Sequence, residues 1–193
     1  MATGRPVLAV VSGPPGTGKT TLARALADTL GCPAIIRDEI KQGMVLANPG
    51  YQAGGDDPLN IPTLHAFFGV LETLTKAGVT MVAEAAFQDR LWTPHLEPLT
   101  SGADVRIIRA TVDTAIAHQR ITSRAGADPH RAAHGDHDLL DALAAGRHSL
   151  DSFVDIRLNL PRLTVDTRDG YRPALETIAA FVAQPADRPH QGP

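Results

Sequence analysis

The chain has 193 residues, of which 43% are hydrophobic and 20% charged, and its net charge is −3. Those values fit one compact globular domain with a real core and lack the basic excess that duplex nucleic acid selects. A single cysteine, Cys32, excludes an internal disulfide, no apolar run is long enough to span a bilayer, and Met1 to Pro6 is too short and polar for a signal peptide, so a cytoplasmic protein is expected.

Apolar runs alternate with amphipathic runs along the chain, which predicts an α/β fold with a parallel sheet covered by helices. Val7 to Val11 reads as a buried first strand. Lys19 to Leu30 reads as a helix closed by Gly31. Ala34 to Ile36 is a short second strand, with a helix near Asp38 to Leu46 after it. Between Asn48 and Pro58 the breakers Pro49, Gly50, Gly54 and Gly55 predict a loop. Ile61, Leu64, Phe67, Phe68, Leu71 and Leu74 then make one apolar helical stripe that ends at Gly78.

Val79 to Ala83 is the third strand. Asp89 to Ser101 has helical spacing interrupted by Pro94 and Pro98. Val105 to Ala110 is the fourth strand, and Asp113 to Arg124 the next helix. A polar stretch with Pro129, about 125–138, is expected to be a lid, and Leu139 to Arg147 resumes a helix. Leu163 to Val165 and Pro173 to Ala183 complete the pattern as the last strand and helix. Residues 1–184 are expected to form one domain, with 185–193 a frayed polar tail.

Gly13-Pro14-Pro15-Gly16-Thr17-Gly18-Lys19-Thr20 fits G-x-x-x-x-G-K-[ST], between a hydrophobic strand and a helix as that motif requires. Glycines at 13, 16 and 18 let the backbone wrap closely enough to aim its N–H groups at phosphate oxygens, and the helix adds its positive end. Lys19 is expected to reach the β- and γ-phosphates of ATP, and the Thr20 hydroxyl to bind Mg²⁺. Thr21, in the first helical turn, counts with the nucleotide site by position alone.

The base-reading N-K-x-D of GTPases is absent, and D-x-x-G occurs only at Asp28–Gly31, inside the first helix. The third strand ends in a lone Glu84, not the Asp-Glu of a mechanical ATPase. Asp38 stands just past the second strand, at the carboxyl end of the sheet where ligands bind. There it can accept the proton of an attacking hydroxyl, cap the helix that follows, or do both.

With its G-x-x-x-x-G-K-T-T-L-A-R start, its acidic residue after the second strand and its arginines after the fourth, the chain resembles the small P-loop kinases of the AAA_33 group. That group takes in chloramphenicol phosphotransferase-like, polynucleotide kinase-like and zeta-toxin-like enzymes. The resemblance implies a three-layer sandwich with a five-stranded parallel sheet in the order 2-3-1-4-5 and a small lid. It also implies that Asp38 is the general base of an ATP- and Mg²⁺-dependent transfer to the hydroxyl of a small molecule. Relatives often carry D-x-x-R; here Lys41 takes the arginine's place, as a candidate substrate contact. Glu84 matches a carboxylate that organises Mg²⁺ through water or binds substrate, or else it caps the turn after its strand.

Arg90 is a substrate candidate or an exposed helix-start residue. Arg120 and Arg124, four apart on one helical face, match lid arginines, one over the transferring phosphoryl group and one stacked on adenine; otherwise they merely complement the helix dipole. Arg131 is a third candidate, and Asp166 and Thr167 lie where relatives pass near adenine, although a plain strand-to-helix turn helped by Gly170 is the stronger reading there. His130, His134 and His137 fit a polar lid better than a metal site. A polynucleotide 5′-kinase and a nucleotide-dependent switch protein stand as alternatives. Nothing in the sequence names the acceptor or the oligomeric state.

Overall fold

A computed structural model describes residues 4–48, 50–51, 57–87, 89–125, 136–145 and 153–184. Five strands, β1 (Val7–Ser12), β2 (Ala34–Ile36), β3 (Met81–Glu84), β4 (Asp104–Thr111) and β5 (Arg162–Asp166), form one sheet in the order β2-β3-β1-β4-β5. Every pairing is parallel. The order is the one the P-loop kinase resemblance implies.

Among the described residues seven α-helices flank the sheet: α1 (Lys19–Leu30), α2 (Arg37–Leu46), α3 (Asn60–Lys76), α4 (Asp89–Leu96), α5 (Thr114–Ala125), α6 (Asp136–Ala144) and α7 (Leu175–Ala183). Alternation along the strands builds both faces, because successive side chains in a strand point to opposite sides. Leu8, Val10, Met81, Ala83, Val105 and Ile107 pack against Phe67, Leu71 and Trp92 from α3 and α4. Their neighbours Ala9, Val11, Val82, Ile108 and Ala110 pack against Leu22, Leu26, Ile178 and Val182 from α1 and α7. A returning segment adds Ile156 to the first of these cores, and Arg109 fixes it to β4 by donating to Asp155 at 2.7 Å.

Several expected boundaries move. The stretch 89–101 is α4 followed by a 3₁₀ turn, Glu97–Ser101. Pro98, in that turn's first residues, lacks the N–H that would continue the α-helical ladder. Of the expected lid, 126–135 lies outside the described residues, and so does the tail 185–193. Asp136, His137 and Asp138 already belong to α6, so that helix begins before Leu139. Ile61, expected in the core stripe of α3, is instead 52% exposed. Among the described residues no helix is long and apolar enough to cross a membrane.

Candidate active site

The sharp turn from β1 into α1 sets the first wall of the site. Gly13 (φ 148°), Gly16 (φ 81°) and Gly18 (φ 73°) all adopt backbone that side chains rarely adopt. At Gly13 and Gly16 close approach matters as much as φ. A Cβ on Gly13 would stand 2.3 Å from the Ala110 carbonyl oxygen, and one on Gly16 2.5 Å from that of Ala117.

The loop therefore lies directly on β4 and α5. Thr167, after β5, locks it there by donating its hydroxyl to the Thr17 carbonyl at 2.7 Å, and Ser12 donates to the Phe87 carbonyl at 3.2 Å. The N-terminus of α1 has Gly18 as its cap residue and no side-chain cap. Its first N–H groups are thus left for an anion.

Gly13→Ala is expected to cost about 3 kcal/mol, from overpacking against β4 together with left-handed strain, and to weaken ATP binding. Gly31→Ala is the control, because Gly31 has φ 66° but nothing within 4 Å of the place a Cβ would take. It should cost only about 1 kcal/mol. Urea unfolding of the two variants separates close approach from strain.

Lys19 donates Nζ to the Pro14 carbonyl at 3.1 Å, so its ammonium is folded back over the loop. Burial of that ammonium pushes its pKa below 10.5, and the nearby Arg124 charge adds to the effect. Glu84 and Asp38 act in the opposite sense without cancelling it. A phosphate chain would supply the missing negative charge. The Thr20 hydroxyl donates to Glu84 Oε2 at 2.9 Å, and Glu84, at the end of β3, is 4% exposed. A hydroxyl and a buried carboxylate side by side at the phosphate loop are the hard oxygen donors that Mg²⁺ takes, so the residues present fit that ion.

These groups open on a cleft of about 340 Å³. Pro15, Lys19, Thr20, Glu84 and Arg124 line it together with Asp38. Asp38 is the second residue of α2, whose cap residue is Ile36 and which has no side-chain cap, so the helix-capping alternative for Asp38 does not hold. The remaining wall combines Arg37 and Asn60 with the apolar Ile61, Leu64, Leu91 and Trp92.

Other expected contacts are elsewhere. Lys41 is buried in an ion pair with Asp57 and donates to Asn60 Oδ1 at 3.2 Å; it does not line the cleft. Arg90 is exposed, and α4 presents Leu91 and Trp92 to the cleft in its place. Arg120 and Arg124 part company: Arg124 lines the cleft, while Arg120 donates to the Thr167 and Arg168 carbonyls at 2.7 and 3.2 Å. Asp166 accepts from the Arg168 N–H at 2.8 Å and shapes the same turn. Arg131, His130 and His134 lie outside the described residues, and among the described residues no group of three or more metal-ligating side chains could hold an ion.

Arg37, Asn60 and Trp92 are the residues that sequence reasoning missed. The signal available was the cation directly before Asp38 and a single tryptophan in the whole chain.

A family model for the AAA domain named AAA_33 matches residues 8–147. The chain belongs to the AAA_33 family. Solved structures share its fold. A kinase candidate from Chloroflexus aurantiacus is 24% identical, with a TM-score of 0.74 over 92% of this chain and 97% of that one. A gluconokinase from Sinorhizobium meliloti is 18% identical, with a TM-score of 0.56 over 93% and 92%. The APS kinase of Mycobacterium tuberculosis, solved with AMPPNP and APS, is 18% identical, with a TM-score of 0.58 over 93% and 96%. No curated protein sequence matches the chain. This AAA_33 protein thus has a kinase-like P-loop NTPase fold.

Proposed function

We propose that this AAA_33 protein is a kinase that moves the γ-phosphoryl group of ATP to a hydroxyl of a small molecule. One observation carries the reading: Asp38 lines the same cleft as Lys19, Thr20, Glu84 and Arg124. A nucleotide-dependent switch has no need of a carboxylate placed in the same cleft as the phosphate-loop lysine. A polynucleotide 5′-kinase needs a basic funnel for its strand, and a chain of net charge −3 offers little excess positive charge for one.

In the proposed reaction Asp38 accepts the proton of the acceptor hydroxyl. The hydroxyl oxygen forms a bond to the γ-phosphorus as the bond from that phosphorus to the β,γ-bridging oxygen breaks, and ADP departs with the electron pair. The loop N–H groups and Lys19 hold the phosphates, and Arg124 offsets charge on the transferring group. Mg²⁺, held by Thr20 and by Glu84 directly or through water, would screen the phosphate oxygens. Arg120, fixed to the turn after β5, belongs on the base side of the nucleotide.

Labelled ATP supplied with a panel of small alcohols, sugars, nucleosides and antibiotics tests the reading. Asp38→Asn should lower kcat by about 10²–10⁴-fold while ATP still binds. Full transfer by Asp38→Asn on the true acceptor would remove the base assignment.

A further inference from the structure

The best-covered charge on the acceptor side of the cleft is Arg37. It follows β2 directly and opens α2, which sets it beside Asp38. Its side chain is 16% exposed, and its guanidinium carbon lies 5.8 Å from the centre of the Trp92 ring. That is within the range of an attractive cation–π contact.

The hydrogen bonds of this guanidinium are poor for a charge so well covered. Nη1 donates to Asp38 Oδ1 at 3.3 Å, and Nη2 reaches Asn60 O and Oδ1 at 3.4 Å. Nε is buried without a partner among the described residues. Charge-assisted bonds normally close to about 2.7–2.9 Å. Two other arginines of the chain show what a structural role looks like. Arg109 meets Asp155 at 2.7 Å, and Arg120 meets the Thr167 carbonyl at 2.7 Å. Arg37 instead holds its fork over the cleft on an aromatic shelf, a geometry that matches two oxygens of one anion.

The Asp38 contact gives the arrangement a further meaning. Arg37 touches Asp38 directly, at 3.3 Å, so an anion that engages its fork is held beside that carboxylate.

Resting on the kinase reading, we propose that the acceptor is a short hydroxylated anion, and that Arg37, on its Trp92 shelf, reads the anionic group. Carboxylate and phosphate monoester share this chemistry. Because Arg37 and Asp38 are adjacent, the anionic group and the reacting hydroxyl are separated by only a few bonds. Ile61, Leu64 and Leu91 cover the carbon skeleton.

Matched compounds test it. Glycerate, gluconate, glycerol 3-phosphate and glucose 6-phosphate are compared with glycerol and glucose in wild type, Arg37→Met and Arg37→Lys. Two readouts are followed, ADP formation and the fluorescence of Trp92, the only tryptophan in the chain.

In wild type the anions should perturb Trp92 fluorescence at concentrations where the neutral parents do not. Preference for the carboxylates or for the phosphates identifies which source fits. Arg37→Met should raise the apparent Kd and KM for the anion about 100-fold and leave KM for ATP within about threefold. Arg37→Lys should restore only part of the loss, because an ammonium lacks the fork.

The inference is overturned if no anion perturbs Trp92 more in wild type than in Arg37→Met, or if glycerol or glucose is phosphorylated as well as its anionic counterparts. The kinase reading fails separately, if anions bind through Arg37 but neither ATP binding nor ADP formation is seen.

Discussion

Lys19→Met is expected to lower kcat/KM at least about 10³-fold, the scale of losing a preorganised donor to a developing charge, while the nucleotide-free protein unfolds at no lower a temperature than wild type. The two halves have one cause. Without nucleotide the ammonium is desolvated, and that burial, with the neighbouring Arg124 charge, outweighs the attraction of Glu84 and Asp38 and keeps the pKa below 10.5. Nζ donates to the Pro14 carbonyl, an oxygen that also accepts from the Thr17 hydroxyl at 2.8 Å and so keeps a partner in the variant. Methionine removes the buried charge and preserves most of the stem, and each kcal/mol relieved raises Tm by about 2–4 °C in a chain of this size.

The pH dependence provides an independent check. A lysine with a depressed folded pKa binds fewer protons in the folded than in the unfolded state between that pKa and 10.5, so wild-type stability should rise with pH across that window. In Lys19→Met the rise should be missing. Nucleotide binding returns negative charge to the ammonium and raises its pKa, so binding to wild type above the depressed pKa should take up a proton. Calorimetry in buffers of different ionisation enthalpy measures that uptake. A variant that melts well below wild type, or that keeps its activity, would show that Lys19 braces the loop instead of serving the phosphates.

The features legible in the sequence were the local ones. The phosphate loop is a contiguous motif whose glycines, lysine and threonine lie within one short stretch of chain, and β1, β3 and β4 announce themselves as apolar runs because both of their faces are buried. The acceptor wall was not legible, because it is assembled from α2, α3 and α4, which are far apart in the sequence. Ile61 fits the period of the α3 stripe, yet at the first turn of the helix that face has already passed the core and looks into the cleft. Lys41 is three residues after Asp38, a position that predicts a substrate contact; a carboxylate arriving from residue 57 pulls it away. Arg120 and Arg124 share a helical face, but one turn of rise, about 5.4 Å, is enough to send one to the turn after β5 and the other into the cleft.

Lys41→Met is expected to destabilise the protein by about 3–5 kcal/mol at neutral pH, the usual cost of leaving one partner of a buried ion pair alone. The Lys41 and Asp57 side chains are each 10% exposed. Asp57 also accepts from the Tyr51 hydroxyl at 2.8 Å and the Leu59 N–H at 2.9 Å. Burial pushes its carboxyl up, but these bonds, with the bond and charge from Lys41, prevail and hold it below 3.8. In wild type the stability contributed by Asp57 is therefore present above about pH 3.9 and is lost as pH falls through the depressed folded value.

Without Lys41, burial acts with one fewer opponent and the Asp57 pKa rises. The variant then loses least where the carboxyl is protonated, so the difference from wild type should shrink as pH falls towards about 4. Lys41→Met combined with Asp57→Leu removes both charges and should recover most of the loss, because an apolar pair of similar volume carries no desolvation cost. Urea unfolding of the single and double variants at about pH 4 and pH 7 measures all of this. A Lys41→Met variant as stable as wild type at neutral pH, with a raised KM for the acceptor, would return this lysine to the substrate site.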